Sequence, residues 1–275
     1  MIGKAPVDLF SLTGKTALVT GAGGLLGARF CETLAKSGAN VVAADANLKK
    51  VGELAARLQA QDLHVEAFKV DVTDLDSVSN MVAFTQKIFG QPTVLVCSAA
   101  LDPKFDAAHY HDHHEGYEQY PLSAWRASLD VNLTGLFLCT QKAAGGMKDA
   151  GGGSIILISS IYGIVAPDQR LYQRDGNANF FKPPDYAVTK AGVLGLTRYL
   201  AAYYANQSIR VNALSPGGVY HDHDEEFAVR YAQHTMLGRM MRLNELDGAV
   251  LFLASEASSY MTGANLVVDG GWTAW

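Results

Sequence analysis

Short apolar runs alternate along the chain with longer segments in which apolar residues recur at helical spacing. This alternation is typical of repeated βαβ units, which build a parallel sheet covered by helices on both faces. It predicts an α/β fold with a doubly wound, parallel, seven-stranded sheet. The predicted strands are Lys15–Val19, Asn40–Ala44, His64–Val70, Thr93–Cys97, Ser154–Ser159, Arg210–Leu214 and Asn265–Val268.

The segments between the strands have helical patterns or loop composition. Asn47 is placed to cap one predicted helix. The buried face of that helix is predicted to consist of Val51, Leu54, Ala55 and Leu58. Comparable patterns cover Tyr186–Ala205 and Asn244–Ala254. By contrast, Leu101–Tyr120 and Ala166–Pro184 are polar and rich in turn formers, so we expect loops there.

Composition narrows the classes of protein that are possible. Of 275 residues, 49% are hydrophobic and 18% are charged, as in ordinary globular proteins. No internal repeat or linker divides the chain, so we expect one domain over residues 1–275. The net charge of −5 supplies no basic field for a nucleic-acid backbone. We therefore expect no nucleic-acid partner.

Cysteine usage and apolar run lengths indicate the compartment. Cys31, Cys97 and Cys139 lie in apolar segments without the spacing of a disulfide framework or a metal site, so we expect buried thiols in a reducing environment. Residues 1–16 lack a signal-peptide pattern, and no run approaches about 18 uninterrupted apolar residues. A cytoplasmic protein without a membrane segment is expected.

A glycine-rich turn follows the first predicted strand and precedes a helix-compatible segment. Residues Thr20–Gly27 read Thr-Gly-Ala-Gly-Gly-Leu-Leu-Gly. A dinucleotide pyrophosphate needs exposed backbone N–H groups and close approach, which glycine permits, and a helix N-terminus adds partial positive charge. A plain tight turn would also use glycine. The position of the turn, with Asp45 some twenty residues on, favours dinucleotide binding.

Asp45 closes the second predicted strand and bears on which dinucleotide binds. Its carboxylate can accept hydrogen bonds from both hydroxyls of an adenosine ribose and would repel a 2′-phosphate. The alternative is that Asp45 caps the following helix, although Asn47 is also placed for that role. The spacing favours ribose binding, and hence NAD rather than NADP.

Tyr186 and Lys190 lie four residues apart in a helical pattern and so project from one helical face. A free phenol has a pKa of about 10, and a neighbouring ammonium favours the phenolate. We expect Lys190 to lower the pKa of Tyr186, so that the phenol can exchange protons near neutral pH. The alternative is an amphipathic helix with a packed tyrosine and a solvated lysine.

Two further polar positions accompany this pair. Ser159 and Ser160 end the fifth predicted strand, at the edge where open α/β sheets bind ligands. Asn132 lies within the helical pattern Leu129–Leu138, where an asparagine is unfavourable unless its amide has a task. Its apolar neighbours make a surface position less favoured.

These residues together resemble the short-chain dehydrogenase/reductase family over essentially the whole chain. The resemblance rests on Thr20–Gly27, Asp71-Val72, Asn132, Ser160, Tyr186 with Lys190, Pro216-Gly217 and Val268–Gly271. It implies a single Rossmann-type sheet, an oxidoreductase of alcohols and ketones, and assembly as a homodimer or homotetramer. It looks similar to a branch that includes gluconate 5-dehydrogenase-like and flagellin-glycan sugar oxidoreductases.

The resemblance also implies roles for individual residues. Tyr186 would be the acid/base, Ser160 would polarise the substrate oxygen, and Asn132 would anchor a water. Lys190 would hold the nicotinamide ribose. The implied NAD contacts are Gly21, Gly23, Gly24, Leu25, Leu26, Gly27, Asp45, Asp71, Val72, Ser98, Ala99, Ala100, Tyr186, Lys190, Pro216, Gly217 and Val219.

The chain departs from the family pattern at several points. Leu25 replaces a glycine of the turn, Cys97–Ala100 replaces an Asn-Asn-Ala-Gly segment, and His221 stands where a threonine is common. Ser160 and Tyr186 are separated by about twice the usual family interval because of an insertion around Gln169–Pro184. Polar residues in that insertion, namely Tyr172, Arg174 and Asn177, would suit a polar substrate.

Histidines cluster in two predicted loops with acidic neighbours. The first loop contains His109, His111, His113 and His114, and the second contains His221 and His223. Such groups are competent metal ligands. Helical ligand spacing is absent, so we expect solvated loops and no metal. The same groups would also be able to hydrogen-bond substrate hydroxyls or to titrate near neutrality.

The resulting hypothesis is NAD-linked interconversion of a secondary alcohol and a ketone, on a sugar, sugar acid or polyol. Substrate loops are expected near residues 101–121, 166–185 and 218–240. Two alternatives remain open. One is a sugar epimerase or dehydratase that uses the same tyrosine and lysine, and the other is a dinucleotide-sensing protein without chemistry.

Overall fold

Seven parallel strands form one sheet in the computed structural model, which describes residues 6–102, 116–172 and 181–275. The strand order is β3-β2-β1-β4-β5-β6-β7. Every predicted strand is confirmed, with end residues that differ by at most two. The strands are β1 Thr16–Thr20, β2 Asn40–Asp45, β3 Val65–Lys69, β4 Val94–Cys97, β5 Gly153–Ile158, β6 Ile209–Pro216 and β7 Asn265–Val268.

Helices cover both faces of this sheet, as the alternating pattern predicts. They are α1 Leu25–Lys36, α2 Leu48–Gln59, α3 Leu75–Phe89, α4 Leu122–Leu129, α5 Gly135–Asp149, α6 Pro184–Tyr203, α7 Glu225–Ala232 and α8 Asp247–Ala254. Successive strand residues point to opposite faces. Ile156 therefore packs with α1, α2 and α8, whereas Ile155 packs with α3, α5 and α6. The sheet thus separates two hydrophobic core layers.

Local signals explain where the helices begin. The Asn47 side chain caps α2 by accepting a hydrogen bond from the Lys50 backbone, as predicted. Helix α6 begins at Pro184, two residues before the predicted start, because proline is pre-organised for the first helical position. The predicted helix over Asn244–Ala254 is a 3-10 turn over Leu243–Leu246 followed by α8.

The helical segment between β4 and β5 is not regular. A π turn over Asp130–Thr134 joins α4 to α5, where the sequence predicts an ordinary helix. Such turns insert an extra residue into a helix and are frequent at functional sites. Asn132 lies in this turn and is only 1% exposed, so its predicted burial is confirmed.

The carboxyl ends of the strands meet at one edge of the sheet. Because β1 and β4 are neighbours, the chain passes to opposite sides of the sheet at this point, which is where open α/β sheets bind ligands. The glycine turn follows β1, Ser98 follows β4 and Ser160 follows β5. The parallel topology therefore gathers the predicted site residues along this edge.

The predicted loops contain short helical pieces. Tyr117–Gln119 and Gln169–Tyr172 form 3-10 turns, and α7 lies within the segment 218–240. All three cysteines are buried and unpaired, as expected. Across the described ranges, every helix is too short or too polar to cross a membrane.

Truncation of a core leucine tests the two-layer core. Leu58 is fully buried in α2, whereas Leu48 of the same helix is half-exposed. Leu58→Ala leaves a cavity and should lower the free energy of unfolding by about 2–5 kcal/mol. The matched control Leu48→Ala should change it by about 0.5 kcal/mol or less. Urea denaturation measures both, and equal losses would contradict this placement of α2.

Candidate active site

The glycine turn after β1 is packed against the loop that follows β4. Gly21 has a φ of +70°, and a Cβ there would lie 2.5 Å from the Ala99 backbone nitrogen. A Cβ on Gly27 would lie 2.2 Å from the Gly21 carbonyl oxygen. Only glycine fits at either position, so the turn is held close and free of side chains.

The first turn of α1 completes this cradle. Gly24 is the N-cap residue and has no side chain to satisfy the N–H groups at the helix start. These groups and the helix dipole favour an anion at the crevice. Leu25 opens α1 and is partly exposed, so the leucine is accommodated without disturbing the helix. The turn therefore fits the pyrophosphate of a dinucleotide.

Asp45 ends β2 beside this turn. Its carboxylate accepts hydrogen bonds from the backbone N–H of Gly23 at 3.0 Å and of Asn47 at 2.8 Å. The alternative that Asp45 caps α2 is wrong, because Asn47 does so instead. Asp45 is only partly buried, so its carboxylate is placed at the crevice next to the glycine cradle.

Asp71 and Val72 follow β3 at the same edge. Hydrogen bonds from the backbone and hydroxyl of Thr73 hold the pKa of Asp71 below its usual range, so this carboxylate is ionised. The Val72 side chain is buried against Gly135, where a Cβ would come within 2.8 Å of it. The start of α5 thereby supports Val72, one of the implied NAD contacts.

The predicted contacts at the other end of the cofactor follow β4 and β6. Ser98–Ala100 follow β4, and the Ser98 backbone donates to the Thr20 carbonyl. Pro216 ends β6, and the Gly217 backbone donates to Val268. Val219 forms an isolated bridge with Met241. These segments flank the crevice from the side opposite to Asp45.

Ser160, Tyr186 and Lys190 come together at the end of β5. Ser160 lies close enough to the Tyr186 phenol to favour its ionised form. The Lys190 ammonium lies 5.6 Å from the centroid of the Tyr186 ring and donates to the Ile158 carbonyl at 2.9 Å. The long insertion between Ser160 and Tyr186 does not separate them, because α6 packs directly on the turn that follows β5.

Burial controls the ionisation of this pair. Desolvation by burial, reinforced by Asp102, raises the pKa of Tyr186 well above its ordinary value, against the opposing effect of Ser160. In the chain alone the net shift of the Tyr186 pKa is therefore upward, opposite to the predicted shift toward neutral pH. Lys190 is 5% exposed, and desolvation lowers its own pKa to about 8, so part of its charge is lost near neutrality.

Asn132 links the loop after β4 to α6. Its side-chain oxygen accepts from the Leu101 backbone N–H at 2.7 Å. Its amide nitrogen donates to the Leu101 carbonyl at 3.0 Å and to the Thr189 hydroxyl at 3.1 Å. The amide has a task, as predicted, because it bonds both the Leu101 backbone and the Thr189 hydroxyl. Asn132 therefore positions Leu101 relative to the helix that carries Tyr186.

A second lysine beside Tyr186 was missed from the sequence. The Lys182 ammonium lies 4.1 Å from the centroid of the Tyr186 ring and pairs with the Asp102 carboxylate. Lys182 is 6% exposed. Only its four-residue separation from Tyr186 in the sequence pointed to it, and no helical face connects the two because α6 begins after Lys182.

Aromatic residues form a third core cluster beside the site. The cluster contains Ile161, Tyr162, Leu171, Tyr172, Tyr231, Met240 and Trp272, with Tyr186 packed against it. Tyr172 was expected to face a polar substrate, but it is buried and donates its hydroxyl hydrogen to Tyr162 at 2.8 Å. The ring of Tyr172 is buried because it packs against Phe227 of α7. Arg174 and Asn177 lie outside the described residues.

The histidine loops are only partly described. The first cluster, His109–His114, lies outside the described residues. In the second, the His223 ring stacks on Phe227 with centroids 5.3 Å apart, and burial lowers its pKa. Among the described residues there is no group of three or more His, Cys, Asp or Glu side chains that is arranged to hold a metal ion.

Comparisons with known proteins agree along most of the chain. A family model described as enoyl-(acyl carrier protein) reductase matches residues 21–273. Cis-4-hydroxycyclohexanecarboxylate dehydrogenase of Sinomonas cyclohexanicum is 36% identical over 94% of this chain and 97% of its own. D-threitol dehydrogenase of Mycolicibacterium smegmatis is 33% identical over 96% and 95%.

A solved structure extends this similarity to the fold. The structure is a gluconate 5-dehydrogenase from Burkholderia cenocepacia J2315 in complex with NADP and tartrate. It has a TM-score of 0.86 and 29% sequence identity, and the match covers 98% of this chain and 100% of that one.

Two helical glycines provide a matched test of the cradle. Gly27→Ala places a Cβ against the Gly21 carbonyl and should lower the free energy of unfolding by about 1–3 kcal/mol. Gly52 of α2 has no atom within 4 Å of such a Cβ, so Gly52→Ala should raise it by about 0.5–1 kcal/mol. Chemical denaturation distinguishes them. A stabilising Gly27→Ala would refute the close packing.

Proposed function

Because this chain belongs to the short-chain dehydrogenase/reductase family, we propose that it is an NAD-dependent oxidoreductase that interconverts a secondary alcohol and a ketone. Its substrate is a sugar, sugar acid or polyol. The observation that carries the proposal is the convergence of Ser160, Tyr186 and Lys190 at the sheet edge that also holds the glycine cradle.

The residues around the crevice divide the work of binding the dinucleotide. The turn from Gly21 to Gly27 and the start of α1 bind the pyrophosphate, and Asp45 accepts hydrogen bonds from the adenosine ribose. Lys190 holds the nicotinamide ribose. When bound, the nicotinamide supplies the hydride acceptor for oxidation and the hydride donor for reduction.

Proton transfer is the task of Tyr186. During oxidation the substrate C–H bond breaks with its electron pair leaving as hydride, while the hydroxyl proton passes to the Tyr186 oxygen. Ser160 donates a hydrogen bond to the substrate oxygen and orients it. In the reverse direction, Tyr186 donates its proton to the oxygen of the ketone as hydride adds to carbon.

The electrostatics of the site predispose Tyr186 to one role. Burial raises the pKa of Tyr186, so the chain's own residues keep it protonated at neutral pH and ready to donate. Oxidation needs the phenolate, which additional positive charge near the ring favours. We therefore expect ketone reduction to persist at neutral pH and alcohol oxidation to increase as the pH rises.

The nucleotide preference rests on Asp45. A carboxylate at the ribose position repels the 2′-phosphate of NADP. A related gluconate 5-dehydrogenase was solved with NADP, so the fold alone does not decide between the two nucleotides. We propose that Asp45 directs this chain toward NAD.

The substrate class is supported by the relatives and by the surroundings of the site. Relatives are named for a polyol, D-threitol, and for a cyclic hydroxy acid. Described residues of the segments 166–185 and 218–240, namely Tyr172, Phe227 and Tyr231, belong to the aromatic cluster that packs beside Tyr186. We propose that the loops 101–121, 166–185 and 218–240 enclose a polyhydroxylated substrate within a single domain spanning residues 1–275.

The resemblance to the family also bears on assembly and location. We propose a cytoplasmic homodimer or homotetramer.

A sugar epimerase or dehydratase would return its cofactor to the starting oxidation state in each cycle. Net reduction of NAD during turnover distinguishes the dehydrogenase from those enzymes.

Replacement of Tyr186 tests the catalytic assignment. Tyr186→Phe removes the proton-transfer group and should reduce turnover about 10²–10⁴-fold, while NAD affinity changes little. Activity with NAD is screened against sugars, sugar acids and polyols, and binding is measured by calorimetry. Tyr199→Phe is the matched control, since Tyr199 is an exposed residue of the same helix. Undiminished turnover in Tyr186→Phe would refute the assignment.

Replacement of Asp45 tests the nucleotide preference. Asp45→Ser removes the repelling charge and should shift the ratio of kcat/KM for NADP over NAD upward by about tenfold or more. The control is Asp149→Ser, which changes an exposed acid at the far end of α5. An unchanged ratio in Asp45→Ser would mean that this carboxylate does not read the ribose.

A further inference from the structure

Lys182 is held in place by its backbone rather than by a helix. Its N–H donates to the Gln169 side-chain oxygen at 2.8 Å, and its carbonyl accepts from the Gln169 side-chain nitrogen at 3.3 Å. The Gln169 amide therefore hydrogen-bonds both the backbone N–H and the backbone carbonyl of Lys182. The backbone of Lys182 is thus fixed just before α6 begins, although its side chain is long.

Its counter-charge, Asp102, is positioned in a similar way. The Asn132 side chain hydrogen-bonds both the backbone N–H and the carbonyl of Leu101, the residue before Asp102. The Lys182 ammonium donates to the Asp102 carboxylate, which is itself half-exposed. Two amide side chains, the buried Asn132 and the exposed Gln169, thereby hold the backbone beside each member of the ion pair.

The ion pair lies against the face of the Tyr186 ring. The Lys182 nitrogen is 4.1 Å from the ring centroid, compared with 5.6 Å for Lys190. A cation within about 6 Å of an aromatic face is attracted to it, more strongly when both are desolvated. The attraction increases when the ring becomes a phenolate, because the negative charge of the oxygen is delocalised into the ring.

We propose that Lys182 is a positioning residue of the active site, which stabilises the phenolate of Tyr186 across the face of its ring, with Asp102 as the opposing charge. This inference rests on the proposed function of Tyr186 as the acid/base. It adds a second influence on the Tyr186 proton. The two residues that exert it, Lys182 and Asp102, are 80 residues apart in the sequence.

Other groups also face Tyr186, and their effects have known signs. Ser160 favours the phenolate, whereas Asp102, Tyr162 and Tyr231 disfavour it. Lys190 favours it while charged, and Lys182 lowers the pKa of Lys190. Removal of Lys182 should therefore raise the pKa of Tyr186, and removal of the Asp102 charge should lower it. The proposal thus predicts that removing either partner of this ion pair shifts the Tyr186 pKa, and that the two shifts have opposite signs.

The experiment is a pH titration of tyrosinate absorbance with saturating NAD. The step of Tyr186 is obtained by subtracting the titration of the same chain carrying Tyr186→Phe. Lys182→Met should raise the apparent pKa of that step by about one unit, which corresponds to ~1.4 kcal/mol. Asp102→Asn should lower it by about half a unit. Lys182→Arg keeps the charge and should leave the step within about 0.3 unit of the parent.

Lys148 offers a matched control for a lysine over tyrosine rings. Its ammonium lies 5.9 Å and 5.4 Å from the ring centroids of Tyr203 and Tyr204. Lys148→Met should leave the Tyr186 step unchanged. Thermal unfolding of each variant identifies any general loss of structure, and Asp102→Asn, at a half-exposed position, provides the test if Lys182→Met does not fold.

Three results would overturn the inference. The first is an unshifted Tyr186 step in Lys182→Met, or in Asp102→Asn where Lys182→Met does not fold. The second is an equal shift in Lys182→Arg and Lys182→Met, which would indicate lost packing rather than lost charge. The third is the lack of any Tyr186 step with NAD bound. The proposed function fails separately, through retained turnover in Tyr186→Phe.

Discussion

The site depends on an amine held inside the protein. Lys190 is almost fully buried, and its nitrogen donates to the Ile158 carbonyl at the end of β5. This bond ties α6 to the edge of the sheet, and α6 also contacts the turn that begins at Ser160. Burial lowers the pKa of the amine to about 8, close enough to neutrality for its charge to respond to its surroundings. The position of Tyr186 follows from that attachment.

The same burial makes the phenol reluctant to ionise. A desolvated phenolate needs positive charge close to it, and one partly neutral lysine supplies only part of that charge. The second lysine, Lys182, lies nearer to the ring, and Asp102 offsets part of its effect. The balance among the two buried lysines and the half-exposed Asp102 therefore sets the proton affinity of Tyr186. Asn132 and Gln169 hold the backbone that carries these charges, so two uncharged amides have electrostatic consequences.

The sequence predicts the fold and the grouping of Ser160, Tyr186 and Lys190, because both leave local patterns. Strands such as β4 are short apolar runs, and Tyr186 and Lys190 share a helical face. The π turn around Asn132 leaves no such pattern, since it inserts one residue into an otherwise helical segment. Lys182 was missed because it precedes α6, so its contact with Tyr186 leaves no helical spacing in the sequence. The predicted direction of the Tyr186 pKa shift was wrong, because a four-residue spacing does not show how deeply a side chain is buried.

The protonation of Lys190 is the most direct measurement of this buried electrostatic balance. Lysine labelled with ¹³C at the ε position is titrated by NMR in the full chain, and the Lys190 signal is assigned by its loss in Lys190→Arg. Burial of the amine predicts a midpoint at a pH of about 8. A midpoint at the ordinary lysine value of about 10.4 would mean that the amine is solvated. In that case the buried site described above does not exist in solution.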